Sequence, residues 1–384
     1  MPKTDPLKKL HYLQRYLVEE FAEDYQEGAM TRRQAIKYIA AVMGSVAAAS
    51  TFLASCAPVP AAAPAATAVP PTAVPPTSPP PTVAPTAAPT AIAPTAAATK
   101  AAVATAVPTV AATPTPAQIA ATATQAVLTT TATAPTPTPI PVPAGVRVPA
   151  DDPAIEAGMV TFPGDGLTLV GYQAKPKGNG PFPAIIVAHE NRGLTDYIKD
   201  VTRRLAKAGY VALAVDQLSK QGGTDKVTDP AQIPAALSAA SPDELAGYYL
   251  SGIKYLQGLP IVNRNQLGMV GFCFGGGMTW LTATKSPDLK AAVPFYGPNP
   301  PLEAVPNIKA AVLAMYGETD ARINAGIPAI EEAMKKNNKT FEKMIYPGAG
   351  HAFHNDTGRA YNPAAAEDAW KRMLEWFAKY VKVG

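Results

Sequence analysis

The chain contains Gly271-Phe272-Cys273-Phe274-Gly275 directly after the apolar run 267–270 and ahead of a helix-like segment. This is the G-x-nucleophile-x-G pattern of a strand–turn–helix elbow, with cysteine where serine is commonest. The glycines indicate a turn in which side chains would collide with backbone. The thiol would lie at a helix N-terminus, whose positive end favours a thiolate. The pattern predicts an enzyme with Cys273 as nucleophile; a small buried cysteine beside a glycine-rich strand end is the alternative.

The sequence around this motif predicts strands that alternate with helices. The continuous apolar run 184–188 is typical of a strand buried on both faces. Further strands are expected at 160–162, 167–173, 210–215, 267–270, 291–295, 310–315 and 341–346, the first two as a hairpin. Helices are expected at 197–208, 243–256, 327–336 and 364–381. The prediction is an α/β fold with a mostly parallel sheet and helices on both faces, which binds ligands beyond the strands' carboxyl ends.

Two polar residues that follow predicted strands are candidate partners for the thiol. Asp320 comes just after a buried strand, and His351 just after the last strand. A nucleophile needs a base, and the base needs an orienting acid, so Cys273, His351 and Asp320 form a candidate triad. Their chain order of nucleophile, acid and histidine is that of α/β-hydrolases. The alternatives are Asp216 for the acid and His189 or His354 for the base.

A third loop, His189-Glu190-Asn191-Arg192-Gly193, follows the buried run 184–188. In α/β-hydrolases this loop supplies one oxyanion donor, here assigned to Asn191, while the Phe274 N–H supplies the other. A carboxylate at Glu190 near Cys273 would discourage a resting thiolate by like-charge repulsion. The alternative for Glu190 is a surface salt bridge with Arg192.

The N-terminal region resembles an export signal. Thr31-Arg32-Arg33-Gln34-Ala35-Ile36-Lys37 resembles a twin-arginine motif, and the apolar stretch 38–55 leads into Leu53-Ala54-Ser55-Cys56, which resembles a bacterial lipobox. The resemblance implies a lipoprotein signal at 1–56, cleavage before Cys56 and lipid attachment to its sulfur. We therefore expect a protein anchored by lipid at the cell surface or in the periplasm. The alternative is an uncleaved membrane helix. Residues 7–25 predict an amphipathic helix in an extended n-region.

Composition separates the rest of the chain into two parts. Residues 57–145 are almost wholly Ala, Pro, Thr and Val, with Lys100 as the only charge. Such a stretch buries too little apolar surface to fold, so we expect a disordered, extended linker. Residues 146–384 have a globular composition and the length of one domain.

Charge and cysteine content restrict the possible functions. The net charge is +4, and no basic patch with interleaved aromatic residues indicates a nucleic-acid partner. The chain has two cysteines, so lipidation of Cys56 would leave Cys273 without a disulfide partner. No H-E-x-x-H or C-x-x-C motif accompanies His351 and His354, so we expect neither a metal nor another cofactor.

Residues 155–382 resemble the dienelactone hydrolase family of α/β-hydrolases. The matching segments are 189–193, 271–276, 316–320, 350–357, 361–363 and 368–370. The resemblance implies a triad of Cys273, His351 and Asp320, and a thioester acyl-enzyme that water activated by His351 hydrolyses. It implies that Glu190 keeps the thiol protonated at rest and moves away, or accepts its proton, when substrate arrives. The expected substrate is a small ester or lactone.

One position departs from the family pattern. Dienelactone hydrolases bind a substrate carboxylate with arginines, one of them four residues after the catalytic histidine, where this chain has Asn355. Arg359 would take this role if its segment is helical, and Arg192 is a second candidate, with Arg322 another. We expect loops such as 219–240 to set acyl specificity. The alternative function is a non-catalytic binding or sensor lipoprotein that retains the fold.

Overall fold

The computed structural model describes residues 7–55 and 148–382. The predicted linker at 57–145 and the predicted lipidation site Cys56 lie outside these residues. The strands are β1 (Ile155–Pro163), β2 (Thr168–Pro176), β3 (Phe182–Ala188), β4 (Val211–Val215), β5 (Val262–Phe272), β6 (Leu289–Phe295), β7 (Ala311–Gly317) and β8 (Phe341–Tyr346). The helices are α1 (Tyr12–Gln26), α2 (Arg32–Met43), α3 (Val46–Ser55), α4 (Asp196–Lys207), α5 (Gln232–Ala239), α6 (Pro242–Gly258), α7 (Phe274–Lys285), α8 (Ala321–Asn324), α9 (Ile327–Lys336) and α10 (Pro363–Tyr380).

All eight strands form one sheet in the order β1-β2-β4-β3-β5-β6-β7-β8. The β1–β2 and β2–β4 pairings are antiparallel, and the remaining pairings are parallel. The predicted hairpin is present, with Phe162 of β1 opposite Leu169 of β2. The prediction of an α/β sheet with helices on both sides is confirmed. Because β5, β7 and β8 run parallel, the residues that follow them converge at one edge of the sheet.

Burial explains which strands the sequence revealed most clearly. Every residue of β3, β4 and β7 is buried, which matches their continuous apolar sequences. By contrast, β5 begins at Val262 and passes through the polar residues 263–266, so only its apolar end was predicted. The segment 219–240, expected to be a specificity loop, contains α5 and two short 3-10 turns. It packs against α2, so part of this segment supports the N-terminal helices.

The predicted signal region forms three helices that pack on the hydrolase-like domain. In α2, the Thr31 hydroxyl accepts from the Gln34 N–H (3.3 Å) and the Gln34 side chain accepts from the Thr31 N–H (2.9 Å), a capping box. Gly44, with φ 70°, ends α2 and divides the predicted apolar stretch 38–55. None of the described helices has the length and apolar character needed to cross a membrane.

Polar and apolar contacts hold this segment in place. Leu13, Leu17 and Phe21 of α1 are buried. The Gln14 side-chain amide donates to the Ser238 carbonyl at 3.0 Å, and the ammonium of Lys37 lies 2.8 Å from the Asp229 carboxylate. These contacts place α1 beside the carboxyl ends of the strands, as its contacts with α7 show.

A buried ion-pair cluster connects α4 to the segment after β8. The Arg204 side chain is only 1% exposed, and its nitrogens lie 2.6 Å from the Asp200 carboxylate and 2.5 Å from that of Asp356. Asp356 lies five residues after His351. The cluster therefore helps to fix the loop that carries the candidate base.

We expect Arg204→Met to destabilise the protein by about 3–5 kcal/mol, because buried Asp356 would lose its cation and Asp200 would keep only Arg203, at 3.4 Å. Urea unfolding followed by circular dichroism measures this change. Lys285→Met is the matched control, since its ion pair with Asp243 is exposed (32% and 80%) and should contribute at most about 1 kcal/mol. Equal effects of the two substitutions would contradict the role assigned to Arg204.

Candidate active site

Cys273 lies in a sharp turn between β5 and α7. Its φ of 57° and ψ of −120° form a conformation that L-residues rarely adopt. A Cβ at Gly271 would lie 2.1 Å from the Gly275 carbonyl oxygen, and a Cβ at Gly275 would lie 2.3 Å from the Ala188 oxygen. Only glycine fits these two positions, as the sequence pattern predicted. The nucleophile elbow is therefore present in the structure.

The predicted base and acid lie beside this turn, after β8 and β7. His351 Nδ1 lies 2.6 Å from Asp320 Oδ2, so Nδ1 donates to the carboxylate and Nε2 faces the thiol side. An imidazole nitrogen of His351 and Cys273 Sγ lie within 4.8 Å of each other. The other Asp320 oxygen accepts from the Ile323 N–H at 3.2 Å, which fixes the carboxylate at the start of α8. The structure thus brings the three predicted residues together.

The two alternative bases make hydrogen bonds elsewhere. His189 Nδ1 lies 2.7 Å from the Glu190 carbonyl oxygen, and Nε2 accepts from the Gln217 N–H at 3.1 Å. His354 Nδ1 lies 2.7 Å from the Tyr197 hydroxyl. Burial lowers the pKa of His354 to about 3, with a smaller contribution from the nearby Arg204 cation. Both rings are buried parts of the packing, so of the three candidate histidines it is His351 that lies beside Cys273.

The alternative acid, Asp216, organises a loop. Its carboxylate accepts from the Leu218 N–H (2.9 Å), the Thr224 N–H (2.6 Å) and the Thr224 hydroxyl (2.9 Å). Both carboxylate oxygens of Asp216 therefore accept hydrogen bonds from donors in the loop that follows it. Asp320 is therefore the acid that orients His351.

Glu190 is buried and lines the same cavity as Cys273, so the alternative of a surface salt bridge with Arg192 is wrong. Glu190 is 6% exposed and accepts from the Asn355 side-chain amide at 2.8 Å. The Arg192 side chain is 59% exposed and lies 3.8 Å from Asp24. Burial raises the pKa of Glu190 to about 7, although the His351 and Arg192 cations oppose this rise. The carboxyl group therefore exchanges its proton near neutral pH.

The two proposed oxyanion donors lie on the elements predicted for them. Phe274 is the first residue of α7, where an N–H has no partner inside the helix. Asn191 is buried and lines the same cavity as Cys273. The use of these two N–H groups for an oxyanion stays a prediction.

A cavity of about 620 Å³ opens beside the thiol. Residues of the hydrolase-like domain that line it include Glu190, Asn191, Arg192, Cys273, His351, Asn355 and Arg359. The segment 355–360 forms turns rather than a helix, so the helical spacing considered for Arg359 is wrong. Arg359 nevertheless lines the cavity and is exposed there.

The sequence analysis missed the contribution of α1 to this site. Its Tyr16 hydroxyl lies 3.2 Å from Cys273 Sγ, and Glu20 Oε1 lies 3.1 Å from His351 Nε2 and 3.6 Å from Sγ. Arg322, two residues after Asp320, binds the carboxylates of Glu20 and Glu23. The available signal was the row of acids at 19–27 in a helix otherwise interpreted as part of an export signal.

These contacts set the protonation states. Burial alone would raise the pKa of Glu20, but the His351 and Arg322 cations hold it well below its ordinary value. Burial alone would lower the pKa of His351, but the Glu20 and Asp320 carboxylates raise it well above its ordinary value. Burial and the Glu20 charge raise the pKa of Cys273. The described state is thus a protonated thiol beside an imidazolium–carboxylate pair.

One group of described side chains has the donor atoms and spacing to hold a metal ion. The ligand atoms of Glu20, Cys273 and His351 lie within 4.8 Å of one another, and all three types bind zinc. In the described state the thiol donates to Glu20, and Glu20 is bound by Arg322. These contacts already account for the positions of the three side chains.

Glu190→Gln tests the raised pKa assigned to this carboxyl group. The pKa of Glu190 is about 7 in the folded protein, against an ordinary value of 4.5 in the unfolded chain. The contribution of Glu190 to stability is therefore complete below the unfolded-state pKa of 4.5 and is lost as the pH rises through the folded-state pKa of about 7. The variant should gain stability relative to the parent by up to about 3 kcal/mol between about pH 4 and about pH 8.

Urea unfolding in steps of pH measures that difference. Glu332→Gln, at an exposed side chain of α9, is the matched control for the chemical change. A difference between the Glu190→Gln variant and its parent that stays constant with pH would show that Glu190 is not protonated in this way.

Comparisons with known proteins agree with this geometry. Residues 169–381 match the model of the dienelactone hydrolase family. A Methylorubrum extorquens protein named for carboxymethylenebutenolidase is 36% identical over 249 residues, covering 62% of this chain and 86% of the relative. An Escherichia coli protein of the same name is 35% identical over 249 residues, covering 62% of this chain and 92% of the relative.

A solved structure extends the comparison to the fold. The Klebsiella pneumoniae protein, named for dienelactone hydrolase, is 34% identical, and its TM-score is 0.56. The similarity covers 59% of this chain and 100% of that protein. The chain therefore belongs to the dienelactone hydrolase family, whose members have the α/β-hydrolase fold and hydrolyse lactone or ester bonds.

Proposed function

We propose that this hydrolase uses Cys273 as a covalent nucleophile. The observation that carries the proposal is the elbow, which holds the thiol beside a histidine whose other nitrogen is bound to Asp320 at 2.6 Å. In the first step Sγ attacks the acyl carbonyl carbon while His351 Nε2 takes the thiol proton. The oxyanion forms between the N–H groups of Phe274 and Asn191.

The acyl group is then released in two stages. The bond from the acyl carbon to the alcohol oxygen breaks, His351 returns the proton to that oxygen, and a thioester remains on Cys273. A water molecule gives a proton to His351 and attacks the thioester carbon. The carbon–sulfur bond breaks, the sulfur regains a proton and the carboxylic acid leaves. Each proton passes through Nε2, so that nitrogen must be free of the Glu20 carboxylate during turnover.

Glu190 is proposed to keep the nucleophile protonated between turnovers. Its charge contributes to the raised pKa of the Cys273 thiol, and its own pKa of about 7 allows proton exchange near neutral pH. The Asn355 amide holds the Glu190 carboxyl group in place at 2.8 Å. Asn355 therefore positions Glu190 and supplies no positive charge for a substrate.

Other residues supply the positive charge at the cavity. We propose Arg192 and Arg359, which line it, and Arg322 for an anionic group of the substrate. Arg322 already binds two carboxylates, those of Glu20 and Glu23, and its guanidinium group lies 4.8 Å from the centre of the Tyr16 ring. These contacts support an ester or lactone that also carries a carboxylate.

Cys273→Ala tests the nucleophile. We expect the rate of hydrolysis of small activated esters and lactones to fall by about 10⁴-fold or more, because the covalent step is lost. Intact-mass spectrometry should detect an acyl adduct on the parent chain and none on the variant. Compared with the parent as an unprocessed full-length chain, Cys56→Ala makes the same chemical change at the other cysteine and should keep the parent's activity and adduct. Full turnover by the Cys273→Ala variant would refute the proposal; no turnover and no adduct in any form of the chain, with or without residues 1–55, would favour the binding protein.

We also propose that the chain is exported and anchored to the membrane through a lipid on Cys56. The lipobox-like Leu53-Ala54-Ser55-Cys56 and the exposed Arg32 and Arg33 support this proposal. In a bacterial host fed an alkyne fatty acid, the parent chain should become labelled and a Cys56→Ser variant should not. Cys273→Ala should keep the label. Equal labelling of parent and Cys56→Ser would contradict the anchor.

A further inference from the structure

We propose that α1 is an intramolecular inhibitor of the hydrolase site. This inference rests on the proposed function of Cys273. It concerns a part of the chain that lies outside the family match at 169–381.

The first argument is that α1 engages the nucleophile. The thiol donates to Glu20 Oε1 at 3.6 Å, which leaves the Tyr16 hydroxyl, at 3.2 Å, to donate to Sγ. Both side chains come from one face of one helix, four residues apart. With α1 in this position Cys273 is only 4% exposed. A substrate carbonyl has no route to Sγ from the side that α1 covers.

The second argument is that α1 occupies the base. Glu20 Oε1 lies 3.1 Å from His351 Nε2, the nitrogen that must accept the thiol proton. The neighbouring carboxylate stabilises the imidazolium form, which has no lone pair for a proton. The helix therefore blocks the proton transfer as well as covering one side of the thiol.

The third argument is charge complementarity between α1 and the rim of the site. Arg322 binds Glu20 and Glu23, and Arg192 lies 3.8 Å from Asp24. The acidic face of α1 thus takes the positions in which arginines would bind an anionic substrate. Glu20 is in this sense a substitute for the substrate carboxylate.

The fourth argument is that the hydrolase domain does not require α1 for its fold. The Klebsiella pneumoniae structure is covered over 100% of its length by 59% of this chain. The family match begins at residue 169, far beyond α1. Cleavage before Cys56, proposed above, would remove α1 together with the signal. Maturation would then open the site.

The principal experiment compares three full-length proteins with a chain that starts at Cys56. We expect Glu20→Gln, which keeps the side-chain shape but loses the ion pairs, to raise kcat/KM for a small ester by about 10- to 100-fold. Glu332→Gln makes the same change at an exposed residue of α9 outside the cavity lining and should change kcat/KM less than about twofold. The chain lacking 1–55 should be at least as active as the Glu20→Gln variant, and a separate peptide of residues 7–55 should inhibit it competitively.

Thiol alkylation separates a steric block from a purely electrostatic effect. Loss of the Glu20 charge alone would raise the rates of alkylation by iodoacetamide and by a bulky maleimide by the same factor, because both reagents react with the thiolate. Displacement of α1 should raise the rate of alkylation by the bulky maleimide by a clearly larger factor than the rate with iodoacetamide. Peptide mass spectrometry at Cys273 measures both rates. Equal factors would overturn the proposal.

The outcomes distinguish this inference from the proposed function. Lower activity after Glu20→Gln or after removal of 1–55 would overturn inhibition and make α1 part of the catalytic site. Unchanged activity in both would also overturn it while leaving the nucleophile intact. If no form of the chain hydrolyses esters or forms an adduct on Cys273, the proposed function fails, and alkylation still tests whether α1 covers the thiol.

Discussion

Close backbone contact between the first turn of α7 and the ends of β3 and β6 is the constraint on which the site depends. The Cβ position of Gly275 is 2.3 Å from the Ala188 oxygen, and that of Gly276 is 2.3 Å from the Phe295 oxygen. With no room between helix and sheet, the turn at Cys273 is held at φ 57°. The parallel pairing of β5 through β8 then brings His351 and Asp320 to the same edge, so the geometry of the site follows from that of the sheet.

The sequence predicted the elbow and its partners because each has a local signature. Glycines at fixed spacing mark the turn, and Asp320 and His351 each follow a strand. The role of α1 has no such signature. Its Tyr16 meets Cys273 across 257 residues of chain, and an amphipathic pattern does not say which surface a helix covers. The contact of Arg204 with Asp356 was hidden for the same reason, since neither charge has a local pattern that indicates burial.

Two buried carboxyl groups in one cavity have opposite protonation states. Glu20 faces two cations, His351 and Arg322, which outweigh burial and hold its pKa low. Glu190 accepts from the neutral Asn355 amide, and burial raises its pKa to about 7. The same residue type therefore serves as a permanent anion on α1 and as an exchangeable acid on the loop after β3. The two pKa values differ because of the neighbouring charges, since both carboxyl groups are similarly buried.

The cover that Tyr16 and Glu20 form over Cys273 has a consequence for oxidation. Peroxides attack the thiolate, and among the residues that the structure describes Cys273 has no second thiol with which to reverse sulfenic acid formation. In the described state Cys273 is 4% exposed and the pKa of its thiol is raised, so oxidants have little access to it and little of it is thiolate. With the export and the release of α1 proposed above, the sulfur would stay reduced in an oxidising compartment until the helix departs, and would become vulnerable to oxidants only when the site becomes competent to turn over.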